Sequence, residues 1–218
     1  MLTVSEENYL KCIFRLSQAG GNKITPTAIA EALTHNAASV IDMLKKLTDK
    51  KLIDYNKITG VKLIEKGQKA ALQIVRKHRL WEVFLMERLG YSWGDVHDIA
   101  EQLEHVQHTE LADRLDKYLG FPVYDPHGDP IPQLNGKMAK TFKTTLFEVK
   151  VKESYQVVGV KDSSNSFLQY LQKLKIGIGT KIMVAEKIPF DESIVITIDN
   201  RNKITVSKKF AENILVNK

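Results

Sequence analysis

The chain has one cysteine, Cys12, among its 218 residues. A single thiol forms no disulfide within a chain, and the paired spacing of a zinc ribbon is missing. No apolar run approaches the roughly 18 residues needed to cross a bilayer. The start, MLTVSEENYLK, lacks the basic and apolar segments of a secretory signal. These absences point away from secreted and membrane proteins, and a cytoplasmic protein with no membrane partner is expected. Charge of one sign does not dominate either. Thirty-two basic residues stand against 26 acidic ones, a net charge of +6. That is a mild hint of a nucleic-acid partner and no more. The rest is ordinary globular composition, 43% hydrophobic and 27% charged, long enough for one large domain or two small ones.

What is present begins with helix punctuation. Tyr9, Leu10, Ile13, Phe14 and Leu16 recur at helical spacing over about 4–18, and Gly20-Gly21 ends that segment. Thr25 and Pro26 are an N-cap and a first-turn proline. They open a short helix, about 26–33, with Ile29, Ala30 and Leu33 inward. Asn36 caps a third helix, about 37–51, burying Val40, Ile41, Leu44 and Leu47. A short helix, a tight turn and a second helix at this spacing form a helix-turn-helix. LIDY at 52–55, KITG at 57–60 and VKLI at 61–64 read as strand, turn and returning strand, which makes a wing.

In such a module the second helix enters the major groove and the wing meets the backbone. The residues placed to meet DNA are Thr27, Asn36, Ala37, Ala38, Ser39 and Asp42, with Lys45 and Lys46. No arginine stands there to read guanine. Small side chains suit thymine-methyl contacts and shape readout, and Ser39 suits a phosphate or a base. Lys45, Lys46, Lys50, Lys51, Lys57 and Lys62 suit phosphates. A winged helix can also serve protein recognition.

The middle of the chain concentrates histidine and glutamate. VRKHRLWEVFL holds His78 and Glu82, four apart and so on one face of a long helix expected over about 67–89 and stopped by Gly90. DVHDIAEQLEHVQH holds His97, Glu101, Glu104 and His105 on a second helix, about 93–107. At roughly 100° per residue these four fall within about a third of its circumference. Val96, Ile99, Ala100, Leu103 and Val106 form its apolar stripe beside them. Three imidazoles and three carboxylates on two neighbouring helices suit a divalent transition metal, although a solvated Glu-rich face has the same composition. Thr109 caps a further helix, TELADRLDKYL, and His108 reads as a surface or capping residue. Trp81, Phe84 and Trp93 cover either a homodimer surface or core.

KHRLWEVFL followed by VHDIAEQLEHV resembles the two-helix metal core of the diphtheria-toxin-repressor family of metal-dependent transcriptional regulators. PHGDPIP at 126–132 resembles the loop after that core, and the SEENYLK start and the winged helix are similar as well. The resemblance implies two metal sites per subunit. One takes His78, Glu82 and His97. The other takes Glu101, Glu104, His105 and a residue of the first helix. Glu101 stands where the iron-sensing branch has cysteine, which is the manganese-sensing pattern, and a hard carboxylate favours Mn²⁺ or Fe²⁺ over Zn²⁺ or Cu⁺. Zn²⁺, Co²⁺ or Ni²⁺ are expected to substitute in vitro. The family has Met or Asp where this chain has Asn8, and Glu7 beside it is the other candidate. Cys12, one turn beyond, reads as core. Lys11 replaces an acid of the manganese branch, which speaks against a close two-manganese cluster of that kind.

Beyond 123 the character changes. VYDPHGDPIP at 123–132 is dense in turn residues and reads as a loop or boundary, and residues to about 150 read as linker. YQVVGV, KIMVAEKI, SIVITI and KITV then alternate with period two around one short helix, SNSFLQYLQKL, and suggest a small barrel. This resembles the family's SH3-like domain. Where iron-sensing relatives lend a Glu and a Gln to a metal from it, this chain has Ser163 and Ser166, which are poor ligands, with Asp162 nearby.

The expectation is a mainly α protein with a small β part. It comprises a winged helix-turn-helix (1–65), a helical metal-binding and dimerisation domain (66–122), a linker (123–150) and an SH3-like β-barrel domain (151–218). It is expected to act as a metal-loaded homodimer on double-stranded operator DNA, repressing metal-uptake genes, with no enzymatic activity and no small organic substrate. Two rivals compete. One is a carboxylate-bridged di-metal helical enzyme, which needs Glu-x-x-His pairs from two helices. The other is a winged-helix regulator that senses an organic ligand.

Overall fold

A computed structural model describes residues 2–20, 23–108, 110–199 and 201–218. Gly21 and Thr109, expected as a helix stop and a cap, lie outside the described residues. The chain divides into two compact units. The first comprises Met1–His78, Gln102–Ala112 and Pro132–Lys137. The second comprises Arg79–Glu101, Asp113–Ile131 and Met138–Lys218.

The first unit contains the winged helix-turn-helix. Helix α1 is Val4–Gln18, opened by a capping box in which Thr3 and Glu6 satisfy each other's backbone N–H groups. Helix α2 is Pro26–Leu33, capped by the Thr25 side chain on Ala28 N, and α3 is Ala37–Asp49, capped by Asn36 on Ser39 N. Strands β1 (Ile53–Asn56) and β2 (Gly60–Leu63) pair antiparallel from Ile53–Leu63 to Asn56–Gly60 and form the wing. Tyr9, Leu10, Ile13, Phe14, Ile29, Val40, Leu44, Leu47 and Val61 are buried and fix the three helices and the wing to one core. Cys12 is buried, as expected.

Helix α3 ends two residues before the expected 51. Lys51 takes a left-handed φ of 53°, its N–H bonds Thr48 O at 2.8 Å, and Leu52 N bonds Leu47 O at 3.0 Å. This is a Schellman stop with lysine in the place usually held by glycine.

Helix α4 is Glu65–Leu89 and passes from the first unit to the second. It starts two residues early because Ile64 O already accepts from Gln68 N at 2.7 Å. Gly67 is required there: a Cβ would lie 1.9 Å from Leu52 O. Helix α5 is Val96–Leu103 and α6 is Leu111–Tyr118. The expected 93–107 helix is therefore shorter at both ends. Ser92 bonds Asp95 through both side chain and backbone and forms a turn before Val96. At the other end Val106 N bonds Leu103 O at 3.2 Å, and Glu104 and His105 sit on a turn rather than on the helix.

The remainder of the second unit is the β domain. Strands β3 (Ser154–Val160), β4 (Lys181–Lys187), β5 (Ile194–Ile198), β6 (Asn202–Val206) and β7 (Ile214–Asn217) form one antiparallel sheet, ordered β6-β5-β4-β3-β7. Helix α7 is Asn165–Lys173, and α8, Lys208–Glu212, is capped by Ser207 and leads into β7. The period-two reading missed α8 and β7. Val157, Leu168, Leu171, Ile182, Val184, Ile194, Ile196 and Ile214 form the core. The stretch 123–150, expected as linker, carries buried side chains at Asp125, His127, Ile131, Leu146 and Val149. Thr145 bridges Leu215 of β7.

One ion pair ties α1 to the end of α3. Glu6 is 5% exposed. Its carboxylate accepts from Lys50 Nζ at 2.6 and 2.9 Å and from Thr3 N at 3.0 Å. Burial pushes this carboxyl group up, but Lys50 and Thr3 N–H pull harder, so it titrates below its ordinary 4.5. A carboxylate lowered by folding stabilises the protein at pH above its unfolded value. That contribution is lost as pH falls through the folded value. Glu6→Gln is expected to lower the melting temperature at neutral pH and to flatten its fall below about pH 5. Circular-dichroism melts of both proteins across the acid range check this, and curves that stay parallel down to low pH would contradict it.

Candidate metal centres and nucleic-acid surface

The first cluster lies within the first unit. Glu104, on the turn after α5, has no exposed surface. Lys11 Nζ of α1 donates to both of its oxygens, at 2.7 and 2.8 Å. His78 Nδ1 of α4 is 2.6 Å from Glu104 Oε2. Next along the turn, His105 Nδ1 is 2.6 Å from Glu7 Oε2, and Gln107 Nε2 donates to Glu7 Oε1 at 2.8 Å. These bonds hold the turn to α1 and explain why α5 stops at Leu103. Of the two α1 candidates, Glu7 is the one with a bond to the turn. Asn8 Oδ1 is buried without a hydrogen-bond partner. A buried acceptor left unbonded costs free energy, and a cation is one way to satisfy it.

The second cluster lies within the second unit. Glu82 of α4 is 1% exposed, with Oε1 3.2 Å from His97 Nδ1 of α5 and Oε2 3.6 Å from His127 Nδ1. His97 Nε2 is 3.9 Å from Glu101. Glu82, Asp125 and His127 each offer a ligand atom within 4.8 Å of the others. Asp125 and His127 were not picked out from sequence. The signal was the Asp-x-His spacing of Asp125-Pro126-His127 inside VYDPHGDPIP, hidden by its look of a plain turn. Asp125 Oδ1 accepts from His127 N and Asp129 N at 2.8 and 2.9 Å, which winds the turn tightly. Gly128, at φ 86°, lets it lie on β3, since a Cβ would meet Val158 O at 2.0 Å, and Val160 N donates to His127 O at 2.9 Å. Trp93 stacks on the His127 ring at 6.0 Å and 17°. His127 Nε2 is buried without a hydrogen-bond partner.

Charge in this cluster is tightly linked. Burial drives the Asp125 carboxyl group up to about 7, with repulsion from Glu82 and Asp129 adding to it and Arg79 and His127 offsetting part. Arg79 Nε is 3.4 Å from Asp125, and its Nη1 donates to Pro130 O at 2.6 Å. For His127, burial opposes the charged form, but Glu82 and the two aspartates outweigh it and raise the imidazole above its ordinary value. Ser163 and Ser166 are exposed, and Asp162 accepts from Ser164 N at 2.8 Å.

On the first unit's surface, Thr27, Asn36, Ala37, Ala38, Ser39, Asp42, Lys45 and Lys46 are all exposed, as a DNA-reading surface requires. Asn36 Oδ1 is occupied as the cap of Ser39 N at 2.9 Å, and Asp42 pairs with Lys45 at 3.2 Å. Tyr9 OH reaches His35 Nδ1 at 3.0 Å beneath the start of α3. Residues 57–60 form the wing tip, with Ile58 83% exposed.

Fold and clusters together define a class: a winged helix-turn-helix protein carrying buried His-carboxylate centres fit for divalent metal. The comparisons with known proteins agree. Three family profiles match in succession. They are the iron dependent repressor N-terminal DNA binding domain over residues 1–61, the iron dependent repressor metal binding and dimerisation domain over 64–133, and the FeoA domain over 144–218. The diphtheria toxin repressor of Corynebacterium jeikeium is 32% identical over 167 residues, 75% of this chain and 68% of that protein. The iron-dependent repressor IdeR of Mycobacterium tuberculosis is 34% identical over 135 residues, 61% of this chain and 57% of IdeR, so less than two thirds of IdeR is spanned. A solved manganese-dependent transcriptional repressor complex with manganese aligns with a TM-score of 0.84 at 32% identity, over 97% of this chain and 98% of that one. The chain belongs to the diphtheria-toxin-repressor family of iron- and manganese-dependent transcriptional regulators.

Ligands must be deprotonated to hold a metal, so uptake at the second cluster is expected to weaken as pH falls through about 7 and Asp125 takes up a proton, with His127, raised above its ordinary value, adding to the loss. Calorimetric Mn²⁺ titrations across that range, in buffers of different ionisation enthalpy, should show proton release on loading. Asp125→Asn should release fewer protons. Binding independent of pH and buffer would contradict the assignment.

Proposed function

We propose that the chain is a Mn²⁺- or Fe²⁺-responsive DNA-binding repressor of metal-uptake genes. It works in the cytoplasm as a homodimer and carries out no catalysis. The observation that carries this is the Glu7–His105 and Lys11–Glu104 bonding of α1 to the turn after α5, in the same compact unit as the helix-turn-helix. The regulatory centre takes Glu101, Glu104 and His105, completed from α1 by Glu7 or Asn8. The ancillary centre takes His78, Glu82 and His97. Asp125 and His127 beside Glu82 supply it further donors in place of those that Ser163 and Ser166 cannot offer.

The donor set is imidazole and carboxylate without thiolate, which suits Mn²⁺ and Fe²⁺. Bound metal supplies a cross-link between α1 and the turn. Metal then shifts a pre-existing equilibrium toward the arrangement that places two recognition helices on successive half-sites, about one helical turn or a multiple apart. The di-metal enzyme rival needs Glu-x-x-His pairs from two helices, of which the sequence has none, Glu101 to Glu104–His105 only coming near, and it leaves the wing without a use.

Selection from a random DNA pool, with Mn²⁺ or with chelator, tests the reading. Metal-dependent enrichment of a two-fold symmetric sequence is expected. Glu101→Ala and His105→Ala should each weaken binding to that sequence by about tenfold or more in Mn²⁺. Equal enrichment with chelator would overturn metal control.

A further inference from the structure

Lys11 is a cation inside a centre that is meant to take a cation. Its side chain is almost wholly buried, and its ammonium lies 2.7 and 2.8 Å from both oxygens of Glu104. The same carboxylate is 2.6 Å from His78 Nδ1 and 3.7 Å from His105 Nε2. Lys11 stands three residues beyond Asn8 and four beyond Glu7, so one face of α1 presents both the candidate ligands and the ammonium. A divalent ion that takes an oxygen of Glu104 must share it with Lys11 or displace it. Two positive charges that close, with little water between them, repel strongly.

We infer that Lys11 competes with the metal for Glu104 and so sets the metal concentration at which the regulatory centre fills. This rests on the reading of Glu104 as a ligand. Lys11 is a positioning and threshold-setting residue: it holds α1 to the turn through Glu104, and metal entry transfers that hold to Glu7 or Asn8. The device therefore exchanges one grip on α1 for another, a turn of helix away, instead of capturing a loose segment. A purely structural lysine would behave in the opposite way, since removing it would disturb the centre and weaken metal binding.

The test is Mn²⁺ calorimetry, together with thermal melts in chelator and in Mn²⁺, on the wild type, Lys11→Gln, Lys11→Met and Lys11→Arg. Lys11→Gln keeps a donor without the charge, and Lys11→Met removes both. Both are expected to bind Mn²⁺ at least about tenfold more tightly. Both should melt lower than wild type in chelator and gain more on adding Mn²⁺. Lys11→Arg keeps the charge and should bind like wild type. Unchanged or weaker binding by Lys11→Gln and Lys11→Met, in protein that melts normally in Mn²⁺, would overturn competition. So would an equal gain in Lys11→Arg. A wild type that binds no Mn²⁺ at all would instead sink the metal-responsive reading itself.

Discussion

A carboxylate with no exposed surface, Glu104, ties the turn after α5 to α1 and α4 within the first unit. Taking an ionised group out of water is costly unless charge and hydrogen bonds compensate it. Here the compensation comes from Lys11 on α1 and His78 on α4, so a single side chain on a turn engages two helices distant in sequence. Removing one partner of such a pair typically costs about 3–5 kcal/mol. The turn is therefore bound to α1 by chemistry that a divalent cation can also supply, which is what a metal-operated joint requires.

Helix α1 has charged contacts at both of its margins. Glu7 is bound to His105 and Gln107, and Glu6, its neighbour, is bound to Lys50 at the end of α3. Adjacent carboxylates on one helix thus take partners on the candidate centre and at the C-cap of α3. The carboxylates on this path are buried, whereas the Lys50 side chain that meets Glu6 is 44% exposed. In the proposed switch, a small change in how α1 is gripped reaches α3 without passing through a loop.

Much of this was legible in the sequence where local chemistry dominates. Thr25-Pro26 and Asn36 marked the starts of α2 and α3 because capping is a short-range effect. The four recognised strands of the β domain were readable from alternation. What was not legible depended on partners far along the chain. A 3.6-residue pattern ran on to 107, but Glu104 and His105 sit on a turn, where Lys11, His78 and Glu7 bind them. Asp125 and His127 looked like turn residues until burial beside Glu82 made them candidate ligands. Strand β7 was missed because its pairing with β3 is non-local. Lys11 read as a departure from a pattern, and only its bonds to Glu104 gave it a role.

The central claim is that metal joins α1 to the turn after α5. Anomalous diffraction at the manganese edge, from crystals of the Mn²⁺-loaded protein, tests it most directly. The account predicts a peak bonded to Glu104 and His105 and to an oxygen of Glu7 or Asn8. A Mn²⁺ peak bonded to the turn but to no atom of α1, or no peak at the turn, would contradict it.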